Sequence, residues 1–106
     1  MLLAEAAEVA DNSVARRTGL LKHNSLAPGE GLWIVPCEAV HTFGMKFDID
    51  VLYLSKERKV LKIRSRMGRR RISICLRAHS VLELPAGMVD STSTVVGDQL
   101  EFEKLL

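Results

Sequence analysis

The chain has little of what marks a specialised class of protein. Its 106 residues include only two cysteines, three prolines and five aromatic side chains, Trp33, Phe43, Phe47, Tyr53 and Phe102. Cys37 and Cys75 cannot build a disulfide-dense scaffold, and nothing requires them to pair. No run approaches the ~18–20 continuous apolar residues of a membrane span. The first residues carry Glu5 and Glu8 and lack a basic segment leading into an apolar run, so no signal peptide is read there. The expectation is a cytoplasmic protein with reduced thiols. Internal repeats and low-complexity tracts are also missing.

What is present supports one domain spanning residues 1–106. A 47% hydrophobic content sustains a core, and 26% charged residues argue against disorder. A chain of this size buries somewhat above 60% of its unfolded surface without help from a metal or disulfide. With aromatics scarce, core building falls to Leu, Val and Ile.

Acidic residues are nearly absent from one segment. Between Lys56 and Arg77 lie ten of the fifteen Lys/Arg against Glu57 alone, a net +9. The rest of the chain holds five Lys/Arg against twelve Asp/Glu, a net −7.

Leu2 to Ala10 reads as either a first strand or a helix-like terminus. Asp11-Asn12-Ser13 is a helix-start cluster, and Val14, Leu20 and Leu21 give a helical stripe, so one modest helix is expected over residues 13–22. Asn24 to Gly31 is a loop. Leu32-Trp33-Ile34-Val35 is apolar on both faces and stopped by Pro36, the pattern of a central strand. Cys37 to Phe47 is irregular, with a tight turn at Gly44. Ile49 to Leu54 is a strand, and Lys59 to Met67 returns beside it. There Leu61, Ile63 and Met67 are expected on one face and Lys62, Arg64 and Arg66 on a solvated one. Ile72 to Leu76, Ser80 to Leu84 and Gln99 to Lys104 are further strands, with a brief helical turn over residues 86–91. Six or so short strands predict a mainly β fold, a compact sandwich or barrel with one short N-terminal helix, with an α+β arrangement as the alternative.

Residues 36–50 gather the most diverse side chains. Cys37 and His41 could be two metal ligands, or a thiolate beside a base. No second Cys/His pair stands at ligand spacing, and only His79, Glu83, Asp48 or Asp50 could complete a site through the fold. The balance favours a structural Cys37, with no metal and no cofactor expected. Asp48 and Asp50 share one face in a strand, roughly 7 Å apart. The stronger reading gives Asp50 to backbone N–H groups rather than to acid–base work. His41-Thr42-Phe43-Gly44-Met45 suits the mouth of an apolar pocket with polar handles, and equally a loop that tucks Phe43 and Met45 into the core.

Lys62, Arg64, Arg66, Arg69, Arg70 and Arg71 could track a phosphate backbone. No aromatic interleaves with them, and such residues also guard edge strands, so nucleic acid is the weaker expectation.

Six segments in order resemble a known family. They are Gly19-Leu20-Leu21, Gly31-Leu32-Trp33-Ile34-Val35-Pro36, His41-Thr42-Phe43-Gly44-Met45, Phe47-Asp48-Ile49-Asp50-Val51-Leu52-Tyr53-Leu54, Val81-Leu82-Glu83-Leu84-Pro85-Ala86-Gly87 and Gly97-Asp98. Spread from about Ala10 to Phe102, they look like the small, mostly prokaryotic family called domain of unknown function 192. The resemblance implies a compact, jelly-roll-like or barrel-like β sandwich. It implies no reaction, cofactor or catalytic residue, because the family has none assigned. Leu20-Leu21-Lys22 departs from the Leu-Met-Phe-like run of many members. Many relatives also carry a secretory or lipoprotein leader, a pattern not read here.

The expectation is a non-enzymatic binding or accessory module for a small ligand or protein. Its candidate ligand residues are His41, Thr42, Phe43, Met45 and Asp50. The alternatives are an enzyme using His41 with Cys37, Asp48 or Asp50, and a polyanion binder through residues 62–71.

Overall fold

The computed structural model describes residues 6–10, 25–27 and 29–101. The helix expected over residues 13–22 lies outside them, as does the end of the strand expected from Gln99 to Lys104. The elements are β1 (Ala6–Ala10), β2 (Glu30–Ile34), β3 (Ala39–His41), β4 (Ile49–Leu54), β5 (Val60–Met67), β6 (Ile72–Ile74), β7 (Ser80–Pro85) and a short helix α1 (Met88–Thr92). Five strands form one sheet in the order β1-β2-β7-β4-β5, while β3 and β6 pair as a separate ribbon. All pairings are antiparallel except β1 with β2. Among the described residues β1 and β5 are edges, so the sheet is open and not a closed barrel.

The most deeply buried strand is β4, which lies between β7 and the edge strand β5 and has all six of its residues buried. Strand alternation sends Ile49, Val51 and Tyr53 to one face. There they pack with Leu32, Ile34 and Val81 of the sheet and with Val40, Met45 and Ala78 from the covering ribbon and its flanks. Leu52 and Leu54 go to the other face, with Val60, Leu82, Leu84 and Val89 of α1. Burying this many Leu, Val and Ile side chains, at about 1.5–3 kcal/mol each, is what aromatic-poor composition requires of a core. The strand read as central from its sequence, β2, sits next to the edge strand β1, with Trp33 half-buried.

The alternation expected along β5 breaks. Ile63 stands opposite Leu52, but Met67 stands opposite Ile49, so these two apolar side chains face opposite sides of the sheet. The register slips between the Ile49 and Val51 pairs, where Arg66 adopts a left-handed φ of 51°. An extra residue in one strand of a pair reverses the alternation beyond it. The side expected to be solvated is also partly covered: Lys62 and Arg64 are half-buried. The Lys62 Nζ donates to the Ile74 carbonyl at 2.8 Å, tying the edge of the sheet to the ribbon.

Residues 37–47, expected to be irregular, contain β3. The Val35–Pro36 peptide is cis, and Gly44 has the left-handed φ of 83° that a tight turn asks of glycine. Among the described residues no helix is long and apolar enough to cross a membrane.

Candidate functional site

Residues 36–50 do not bring their chemistry to one place. In the ribbon, Ala39 pairs with Ile74, Val40 with Ser73 and His41 with Ile72. Val40 and Ser73 point inward, while His41 stands exposed on the outer face, its ring 6.1 Å from that of Phe43. Phe43 is likewise exposed, so of the pair expected to tuck into the core only Met45 is buried.

Thr42 is fully buried and serves the backbone. Its Oγ1 donates to the Gly68 carbonyl at 2.6 Å and accepts from the Arg71 N–H at 2.9 Å. Its own N–H donates to the Arg71 carbonyl, and its carbonyl accepts from Met45. One side chain thus holds the arginine loop against the Gly44 turn.

Asp50 lies on the far face of the sheet from the ribbon. Its carboxylate accepts from the N–H groups of Arg66 at 2.8 Å, Gly87 at 3.2 Å and Val89 at 2.7 Å. It therefore fixes the β5 bulge and the start of α1 together. Asp48 is exposed, and the Cys37 Sγ donates to the Ala39 carbonyl at 3.1 Å. His41 and Asp50 stand on opposite sides of the main sheet, so they are not brought together. No three His, Cys, Asp or Glu side chains among the described residues group as a metal site.

The expected cation stripe is divided as well. Lys62 is tied to Ile74, with its Nζ 5.9 Å from the centre of the Tyr53 ring. Arg66 lies against Gly87 and faces Asp90 at 3.6 Å, on the α1 side. Arg69, Arg70 and Arg71 remain together and exposed in the loop before β6.

Three further polar groups are buried on the inner side, between sheet and ribbon. Glu83 stands opposite Leu32 on one side and Val51 on the other, in the middle of the inner face. It is 5% exposed, and burial among these aliphatic neighbours pushes its carboxyl up to about 7. Tyr53 is a diagonal neighbour of Glu83, a spacing that long side chains bridge. Burial raises the Tyr53 phenol above its ordinary value; the Ser73 hydroxyl beside it acts in the opposite direction, the Cys37 and Cys75 thiols add to the rise, and Arg64 counters it. The Tyr53 Oη and the Ser73 Oγ are both buried, and neither has a hydrogen-bond partner among the described residues. Buried hydroxyls and carboxyls are ordinarily paired, because an unpaired one costs roughly 1–3 kcal/mol.

Of this cluster the sequence singled out Cys37 and Glu83 as metal-site partners, and Lys62 and Arg64 as surface cations. Tyr53 and Ser73 went unread. A signal was available: Glu83 and Tyr53 are polar groups flanked on both sides by aliphatic residues within strands, a combination worth more notice than a polar-rich loop.

An open, mostly antiparallel sheet capped by a two-stranded ribbon, with a buried acid and two buried hydroxyls between the layers, defines a small β domain with an internal polar patch. The match to the domain of unknown function 192 (DUF192, "Uncharacterized ACR, COG1430") spans residues 3–102, and the chain belongs to that family. The UPF0127 protein PYRAB11210 of Pyrococcus abyssi (strain GE5 / Orsay) is 32% identical over 101 residues, covering 90% of this chain and 84% of its own length. Two crystal structures share the fold. A protein of unknown function from Novosphingobium aromaticivorans DSM 12444 superposes with a TM-score of 0.82 at 19% identity, over 91% of this chain and 74% of its own. A Sinorhizobium meliloti 1021 protein, described provisionally as a transcription regulator (R01717), gives 0.83 at 24% identity, over 90% and 79%. At these identities both establish fold and nothing more. The family carries no assigned activity.

Proposed function

We propose that this chain is a small binding module, not an enzyme, that takes a small uncharged polar ligand between the inner sheet face and the β3–β6 ribbon. In this reading the two layers form an open, jelly-roll-like sandwich, and residues 36–50 act as its cover. Cys37, Val40 and Met45 supply apolar lining, while the polar handles come from Glu83, Tyr53 and Ser73. Thr42 and Asp50 position the cover and the sheet. His41 and Phe43 lie outside the site.

The observation that carries the reading is Glu83. A carboxyl with no hydrogen bond or ion pair among the described residues, held near 7 by burial alone, can both donate to and accept from a ligand at neutral pH. The Tyr53 and Ser73 hydroxyls, which have no hydrogen-bond partner among the described residues, extend that capacity. Hydroxyl and amide groups on a ligand match all three without bringing a second charge into a low-dielectric space. Precisely placed polar groups on an apolar wall are the usual composition of small-molecule sites.

The test is a thermal-shift screen of sugars, polyols, nucleosides and small amides near pH 7. The expected result is a compound that raises the Tm of the native chain by about 5 °C or more at saturating concentration. That shift should disappear in Glu83→Gln and Ser73→Val. A panel with no stabilising compound, or one whose best compound stabilises both variants equally, overturns the reading.

A further inference from the structure

The outer face of the ribbon plays no part in that site. Alternation along β3 and β6 turns Ala39 and His41 outward on one side and Ile72 and Ile74 outward on the other, and the turns that follow these strands expose Phe43 and Leu76. All six are exposed. The large apolar ones are strongly so: Leu76 at 78%, Ile72 at 61%, Ile74 at 51% and Phe43 at 49%. Single exposed hydrophobes need no explanation, but a contiguous strip on one face marks a contact surface.

Charge tells what the strip contacts. Arg69, Arg70 and Arg71 stand at one end, immediately before β6, and Arg77 at the other, immediately after Leu76; all four are exposed. Thr42 anchors the first group to the ribbon, because its carbonyl and Oγ1 accept from the N–H groups of Arg70 and Arg71. Across residues 36–47 and 69–79 the only acidic side chain is Glu38. The face is thus an apolar strip with arginines at both ends.

We propose that this face docks peripherally on an anionic lipid bilayer. Phe43, Ile72, Ile74 and Leu76 enter the boundary between headgroups and acyl chains, and the arginines lie on lipid phosphates. A bilayer offers a negative layer and an apolar layer side by side, which is the complement this face requires. A nucleic acid would satisfy the arginines and leave the aliphatic strip in water. A second copy of the chain, packed face to face about a two-fold axis, would set arginine clusters against each other.

The test is co-sedimentation of the chain with vesicles of phosphatidylcholine alone and of phosphatidylcholine with roughly 30% phosphatidylglycerol, at about 0.1 M salt. Binding is expected only to the anionic vesicles, and it should weaken as salt rises. Arg69→Gln with Arg77→Gln should lower affinity about 25-fold, at about five-fold per arginine. Ile74→Ser with Leu76→Ser should lower it about ten-fold or more. These positions are exposed, so circular dichroism melts of the variants should match the native chain; Leu76→Ser alone serves if the pair does not fold. Absence of binding to anionic vesicles overturns the proposal, as does equal binding to neutral ones. So does binding that the Ile74/Leu76 pair leaves unchanged, which would indicate a plain polyanion site. A dimer seen by light scattering and abolished by Leu76→Ser would assign the strip to self-association instead.

Discussion

Replacing Asp50 by alanine removes the acceptor of three backbone N–H groups that come from two separate elements. The Val89 N–H is buried, whereas those of Arg66 and Gly87 are only partly so, and water can recover some of what they lose. A hydrogen bond to a charged group contributes about 1.5–3 kcal/mol, and a buried donor left unpaired costs a similar amount. Allowing for partial recovery by water, the expected loss is about 3–5 kcal/mol. Against a typical domain stability of roughly 5–15 kcal/mol, that is a large fraction. In a chain of this length it lowers Tm by about 15–25 °C. Asp50→Asn keeps one acceptor oxygen but turns an amide N–H₂ toward another donor, so an intermediate loss of about 2–3 kcal/mol is expected. Urea unfolding followed by circular dichroism, with m unchanged, measures both. Hydrogen exchange should show that Val89 and Arg66 lose protection together. An alanine variant within about 1 kcal/mol of the native chain would refute the claim that this carboxylate joins the β5 bulge to α1.

Three further outcomes follow from the same geometry. Because burial raises the Glu83 carboxyl from 4.5 to about 7, the folded state holds a proton that the unfolded state releases. Stability should therefore fall as pH rises from 4.5 to about 7 and level off above it, a loss of about 3 kcal/mol that Glu83→Gln removes, read from urea midpoints across pH. Thr42→Val deletes both Oγ1 hydrogen bonds and should cost about 2 kcal/mol and the exchange protection of Arg71, while Thr42→Ser should retain most of both. Gly87→Ala meets a left-handed φ of 92° and places a Cβ 3.0 Å from an Arg66 guanidinium nitrogen. The guanidinium can move aside but the backbone cannot, so a loss of about 1–2 kcal/mol is expected in thermal melts.

Much of the sheet was legible because its signals are local. Runs such as Ile49 to Leu54 and Ser80 to Leu84 carry β-branched or aliphatic residues between turn formers, and they appear as strands almost where expected. Asp50 was legible as a backbone acceptor because a lone carboxylate ahead of an apolar run has few other uses, although its actual donors come from residues 66, 87 and 89. The faces of β5 were not legible. A bulge at Arg66 arises from how β5 must meet both β4 and the Asp50 carboxylate, and no property of residues 60–67 alone announces it. Nor did the period of β5 disclose that Lys62 would reach across to the ribbon. The polar groups on which the proposed site rests were hard to read for a related reason. Polar variety in a loop is visible in one dimension, whereas Glu83, Tyr53 and Ser73 come from three strands and share the space between the layers only once β4, β6 and β7 are in place.

The most direct test of the binding account is a map of NMR chemical-shift changes caused by the best-stabilising neutral polar compound. The account predicts shifts centred on Glu83, Tyr53, Ser73 and Val51, together with movement of the Glu83 carboxyl titration away from about 7. Shifts confined to the exposed surface, with the Glu83 titration unmoved, would contradict it.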